Sequence, residues 1–135
     1  MNEEIVFWKW ISESSLALVT ANAVFHWSLE PNSTPQKMFD RHPTLSGCDI
    51  VNYRTDEAQK WLVLCGYAAR NNQIAGQLQL YSVEKKMTQP LEGHACAFLQ
   101  YKVEGAAKAS TLFCLANKTA TGAKVKKIFI FLFFM

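Results

Sequence analysis

The chain has 135 residues, half of them hydrophobic and 13% aromatic, with a formal charge of +3. That length allows at most one domain, and the composition excludes a disordered chain. Lys and Arg are scattered from Lys9 to Lys127 with no stripe of interleaved aromatics, which excludes a nucleic-acid surface.

The N-terminus, "MNEEIVFWKW", is acidic before it is apolar and so does not read as a signal peptide. From there, short runs rich in β-branched and aromatic residues alternate with turn residues. "IVFWKWI", "SLALVT" and "AVFHWSL" predict three strands, separated by "SES" and "TAN" and followed by "EPNSTP". A polar fourth run, "QKMFDRH", precedes "PTLSG". The pattern begins again with "DIVNYRT", "KWLVLCGYA", "QIAGQLQLYSV" and "KMTQPLEG", and a third time with "ACAFLQYKV" and "STLFCLANK". In "QLQLYSV", Leu78 and Leu80 fall on one face and Gln79, Tyr81 and Val83 on the other.

Each set runs from an amphipathic strand through a nearly continuous apolar one to a mixed and then a polar one. Comparable positions (Leu16, Leu62, Leu112) recur about every 45 to 50 residues, the period of a four-stranded propeller blade. The fold class expected is therefore all-β: an incomplete β-propeller of two four-stranded antiparallel blades, 4–47 and 48–93, with part of a third over 94–127. The apolar "WLVLC" should be covered on both faces, with the polar fourth strand at an outer edge. A small eight-stranded barrel binding an apolar ligand is the alternative. The tail 124–135 departs from the pattern. Its run 128–135 is too short to span a bilayer and has the composition of an aggregation-prone segment, as an altered or truncated end would. A truncated product without independent function is thus a further reading, and the open blade faces predict low solubility.

Chemistry-bearing residues are sparse. Cys48, Cys65, Cys96 and Cys114 form no Cys-x-x-Cys pair and are expected as free thiols, most of them in apolar strands. His26, His42 and His94 lack metal-ligand spacing, and no phosphate loop or nucleophile elbow occurs, so neither an enzyme nor a metal or cofactor is expected. Asp40-Arg41-His42 reads as an ion cluster on an outer strand, with Arg41 facing away from the other two.

The words "FWKWIS", "LALVT", "VFHWSLE", "KMFDRH", "NYRTDEAQKWLVL", "LQLYSVEKK", "QPLEGHA" and "STLFC" resemble, in collinear order over about residues 3–123, the N-terminal propeller of clathrin heavy chain. The resemblance implies a fragment of a seven-bladed propeller that ends each leg of a three-legged coat protein. It implies cytoplasmic coated pits and vesicles, with membrane association only through adaptors. Other clathrin chains would be partners only if the helical leg were present. Earlier blade material, which carries much of the family's main peptide groove, and the later blades have no counterpart here.

In that family, grooves between blades capture leucine-containing peptides from adaptor hinges and accessory proteins. The lining of a second groove, used by an arrestin loop, carries over to Trp61, Leu80, Lys85, Met87, Gln89 and Leu91. These residue types suit an extended peptide. They offer apolar pockets for alternate side chains, an amide for the peptide backbone, and a cation for an acidic residue. The family has arginine where Lys85 stands, and lysine lacks the bidentate fork. A central site for a tryptophan-containing peptide carries over to Asp49, Val51 and Tyr67. There the family has glutamine, isoleucine and isoleucine, so charge and bulk are added.

Overall fold

A computed structural model describes residues 3–102, 104–105, 110–119 and 122–129. Among the described residues, eleven strands form three separate antiparallel sheets, each a simple meander. The first holds β1 (Ile5–Trp10), β2 (Ser15–Thr20), β3 (Ala23–Ser28) and β4 (Gln36–Asp40). The second holds β5 (Asp49–Thr55), β6 (Trp61–Arg70), β7 (Gln73–Ser82) and β8 (Met87–Glu92). The third runs β9 (Ala95–Tyr101), β10 (Ser110–Thr119) and β11 (Gly122–Phe129). No strand pair joins one sheet to another among the described residues, so the barrel does not form. The arrangement is a partial propeller.

Local chemistry places the turns. Asn71 and Asn72, both at positive φ (51° and 61°), form the two-residue hairpin that matches strand twist, with Arg70 paired to Gln73. Pro90 sits in β8, the outer strand of its sheet, where a missing N–H is tolerated. A 3-10 turn over Pro43–Leu45, capped by His42, leads from the first sheet into the second.

The core lies in the two seams between sheets. Leu62 and Leu64 of β6 pack with Ala17, Val19, Val24 and Phe39 of the first sheet, and with Leu45 and Tyr53. The alternate residues Val63 and Cys65 pack with Leu78 and Leu80 against Cys96, Phe113 and Leu115 of the third. The middle strand is thus buried on both faces, and Leu78/Leu80 and Tyr81/Val83 serve opposite seams as alternation requires.

Three readings change. Leu62 faces the preceding sheet, but Leu112 pairs with Leu99 on the face away from the second sheet, and Phe113 faces inward instead. The blade repeat therefore slips by one residue in the third sheet, which turns a strand's faces over. The tail is not wholly apart from the blades, since β11 extends through Phe129 in register with β10; residues 130–135 lie outside the described residues. Asp40-Arg41-His42 is no ion cluster: β4 ends at Asp40, which pairs with Lys37 at 3.1 Å, and Arg41 donates to the carbonyls of Thr20 (2.9 Å) and Leu45 (2.8 Å).

Candidate functional site

Strand register decides which of the carried-over groove residues share a face. Trp61 pairs with Ser82 and Ser82 with Met87; Val63 pairs with Leu80 and Leu80 with Gln89; Cys65 pairs with Leu78 and Leu78 with Leu91. Paired residues point the same way, so Trp61, Leu80, Met87, Gln89 and Leu91 all lie on the face turned toward the third sheet. The sixth, Lys85, is exposed on the turn joining β7 to β8.

Exposure then separates floor from rim. Leu80 has no accessible surface and can act only as the floor of a groove. Trp61 and Leu91 are half-buried and pack on the second apolar cluster. Met87 is 47% exposed, and Gln89, half-buried, donates from Nε2 to the Pro90 carbonyl at 3.3 Å. The Gln89 contact is to its own neighbour, so the amide can be turned toward a ligand at low cost.

The loops hold this set in place. Buried Asp56 accepts from the backbone N–H groups of Lys60 (2.8 Å) and Trp61 (2.9 Å) through Oδ1, fixing the start of β6. Ser82 Oγ accepts from the Lys85 N–H at 3.2 Å, and Lys86 takes a left-handed φ of 54°. Lys60 and Glu84 form a 2.9 Å ion pair beside the turn, which leaves the rim weakly basic.

The central trio is brought together only in part. Asp49 pairs with Tyr67, while Val51 sits in the irregularity between Ile50 and Asn52 and is 39% exposed. Tyr67 is engaged elsewhere: its hydroxyl donates to the His94 carbonyl, and the two rings lie 5.5 Å apart. Asp49 and Ile50 line an open cleft of about 500 Å³ with Asn22 and Arg41 at the rim of the first seam.

Two residues that carry the seams had no sequence signal pointing to their partners. Gln79, 1% exposed, crosses the first seam: its Nε2 donates to the Asp40 carbonyl (2.9 Å) and Thr88 Oγ1 (3.2 Å), and its Oε1 accepts from the His42 N–H (2.7 Å). A glutamine between two buried leucines is the only hint, since a buried amide must find partners. His94 crosses the second seam, with Nε2 2.7 Å from the Ile74 carbonyl and Nδ1 accepting from the Lys118 N–H at 3.0 Å. Beside it, Gly76 and Gly93 let two backbones touch; a Cβ on Gly76 would lie 2.1 Å from the Gly93 carbonyl oxygen.

Burial keeps three titratable groups of the seams uncharged. Burial pushes the Cys65 thiol up to about 12 and the Cys96 thiol to about 11, so both stay protonated and unreactive. Burial holds the His26 imidazole down at about 4, so it stands neutral 2.7 Å from the Tyr53 hydroxyl. All four thiols are free.

Comparison with known proteins gives this arrangement its relatives. Residues 45–84 match the clathrin propeller repeat. The chain is 56% identical over 125 residues to human clathrin heavy chain 2, aligning over 93% of its own length and 8% of the relative's. Clathrin heavy chains of Drosophila melanogaster and Dictyostelium discoideum are 55% and 51% identical, again over 93% of this chain and 7% of theirs. The chain spans less than a tenth of the length of these relatives.

Proposed function

Because this chain belongs with the clathrin heavy chains, whose propeller repeat it carries, we propose that it is a non-enzymatic module of the clathrin coat. It docks short leucine-containing peptides of adaptors and arrestin-type accessory proteins in the groove beside β8. Its place is the cytoplasmic face of coated pits and vesicles, in vesicle-mediated protein transport, and it reaches the membrane through those adaptors.

The observation that supports this best is the shared face. Five residues from three strands present a floor (Leu80), two half-buried walls (Trp61, Leu91), an exposed apolar rim (Met87) and an amide (Gln89) on one face. An extended peptide would lay alternate side chains against that face, with Gln89 meeting its backbone and Lys85 an acidic residue. The contact is small, so one groove binds weakly and many grooves in a lattice bind well.

Titration calorimetry of the full chain with a leucine-rich acidic peptide tests the reading. Gln89→Ala and Lys85→Glu should each weaken binding by roughly fivefold or more, about 1 kcal/mol. Leu80→Ala should act through the floor, lowering affinity and stability together. Affinity unchanged in all three variants would remove the groove from this face.

A further inference from the structure

We propose that the open cleft at the rim of the first seam binds a small zwitterion of dipeptide size, its carboxylate on the Arg41 guanidinium and its ammonium group on the Asp49 carboxylate.

Arg41 is a charge without a counter-charge. Its Nη1 donates to the Thr20 carbonyl and its Nη2 to the Leu45 carbonyl, both neutral acceptors, while Nε is buried with no partner. Asp40, the carboxylate next to it in the chain, is engaged by Lys37 at 3.1 Å. The half-buried guanidinium has therefore lost hydration that no anion replaces, and burial lowers its pKa from the ordinary value. Each terminal nitrogen keeps a second N–H, and such a pair is what a carboxylate engages as a fork.

Asp49 is the other half. It is exposed at the start of β5, lines the same cleft of about 500 Å³, and forms no ion pair with Arg41 or any other described residue. A cation and a carboxylate that line one cleft without meeting fit a guest that carries both charges. A phosphate fits less well, because its extra negative charge would face Asp49. Val6 and Ile50 give the cleft an apolar wall, and Asn22 gives it an amide. Gly47 takes a left-handed φ of 80°, and a Cβ there would meet nothing within 4 Å, so the backbone of this turn lies open to the cleft. The volume is that of a small-molecule site. Neither Val51 nor Tyr67 lines it, and it lies on the other seam from the groove beside β8, so it stands or falls apart from that reading.

Heteronuclear NMR of the isotope-labelled full chain, titrated with glycyl-valine, tests this; the valine side chain suits Val6 and Ile50. The expected result is saturable shifts at Asn22, Gly47 and the Arg41 side-chain N–H groups. The N-acetylated and C-amidated dipeptides each lack one charge and should bind about tenfold more weakly or worse. Asp49→Asn changes an exposed residue and should make the free and N-acetylated dipeptides bind alike. Arg41→Lys keeps the charge but not the fork and should weaken the free dipeptide; should it unfold the chain, Asp49→Asn decides alone. The absence of a saturable shift overturns the proposal, as does an N-acetylated dipeptide that binds wild type as tightly as the free one. So do shifts that acetate or phosphate alone reproduces in full, which would mark an adventitious ion only, and shifts that appear at Met87 and Gln89 instead.

Discussion

The two seams of this molecule solve the same problem by different means. The first, between the first and second sheets, is tied along its depth by polar side chains that reach across. Lys9 donates to Asn52 Oδ1 (3.0 Å) and the Tyr53 carbonyl (3.3 Å), His26 meets the Tyr53 hydroxyl, and Gln79 binds the backbone at Asp40 and His42. The second seam is an apolar cluster whose polar ties converge on His94 at one rim. A seam tied along its depth leaves only the open cleft at its rim, lined by Asn22, Arg41 and Asp49. A seam held at one rim can leave the opposite rim, beside Met87 and Gln89, to a peptide.

Gln79→Leu attacks the difference at its strongest point. Leucine fills the volume, so the loss isolates the hydrogen bonds, and it strands the His42 N–H and the Asp40 carbonyl. Leaving both unpaired should cost about 4 kcal/mol, read as a fall in the urea midpoint at unchanged m-value. A variant as stable as wild type would show that the first seam is held by packing alone.

Acid should loosen the same seam next. His26 is held at about 4 in the folded chain against an ordinary 6.5, so between those values the unfolded chain binds more protons. Its contribution is fully present above about pH 6.5 and is lost as pH falls toward 4, on the order of 3 kcal/mol in all. Chemical denaturation at half-unit pH steps reads the slope, and His26→Gln, which keeps an acceptor for Tyr53 but cannot charge, should flatten it.

The second seam should respond less. His94→Ala removes the ties to Ile74 and Lys118 and should cost about 2 kcal/mol. Hydrogen exchange should quicken around residues 73–76 and 116–118 and stay unchanged around Lys9 and Asn52. Equal loosening of both seams would erase the contrast between them.

How far the sequence reached follows from what kind of information each feature needs. Strand order and the opposed faces of Leu80 and Tyr81 were readable because alternation and turn residues are local. The one-residue slip that turns Leu112 outward was not, because the period of a blade repeat does not fix the register of a strand. Arg41 misled for a related reason. Its partners are the carbonyls of Thr20 and Leu45, and backbone acceptors carry no signature in the residues that offer them. Gln79 is the same case at longer range, bonded to backbone 37 and 39 positions away. For the proposed groove, the family resemblance supplied a lining, but only the seam's geometry separates Leu80, fully buried, from Met87 at the rim.

The smallest expected change in stability comes from that rim and bears on function most directly. Met87 is 47% exposed on β8, the outer strand of its sheet, and stands opposite Ser82. Met87→Ala therefore opens no cavity and should shift stability by no more than about 0.5 kcal/mol. A flexible thioether at the edge of an apolar strip is nevertheless well suited to cover a leucine side chain laid against it. If the groove lies here, the variant should melt with wild type yet bind a leucine-rich peptide about fivefold more weakly. The two readouts part only at a rim. A residue of the core would lose both together, as Leu80→Ala should, and a residue with no part in binding would lose neither.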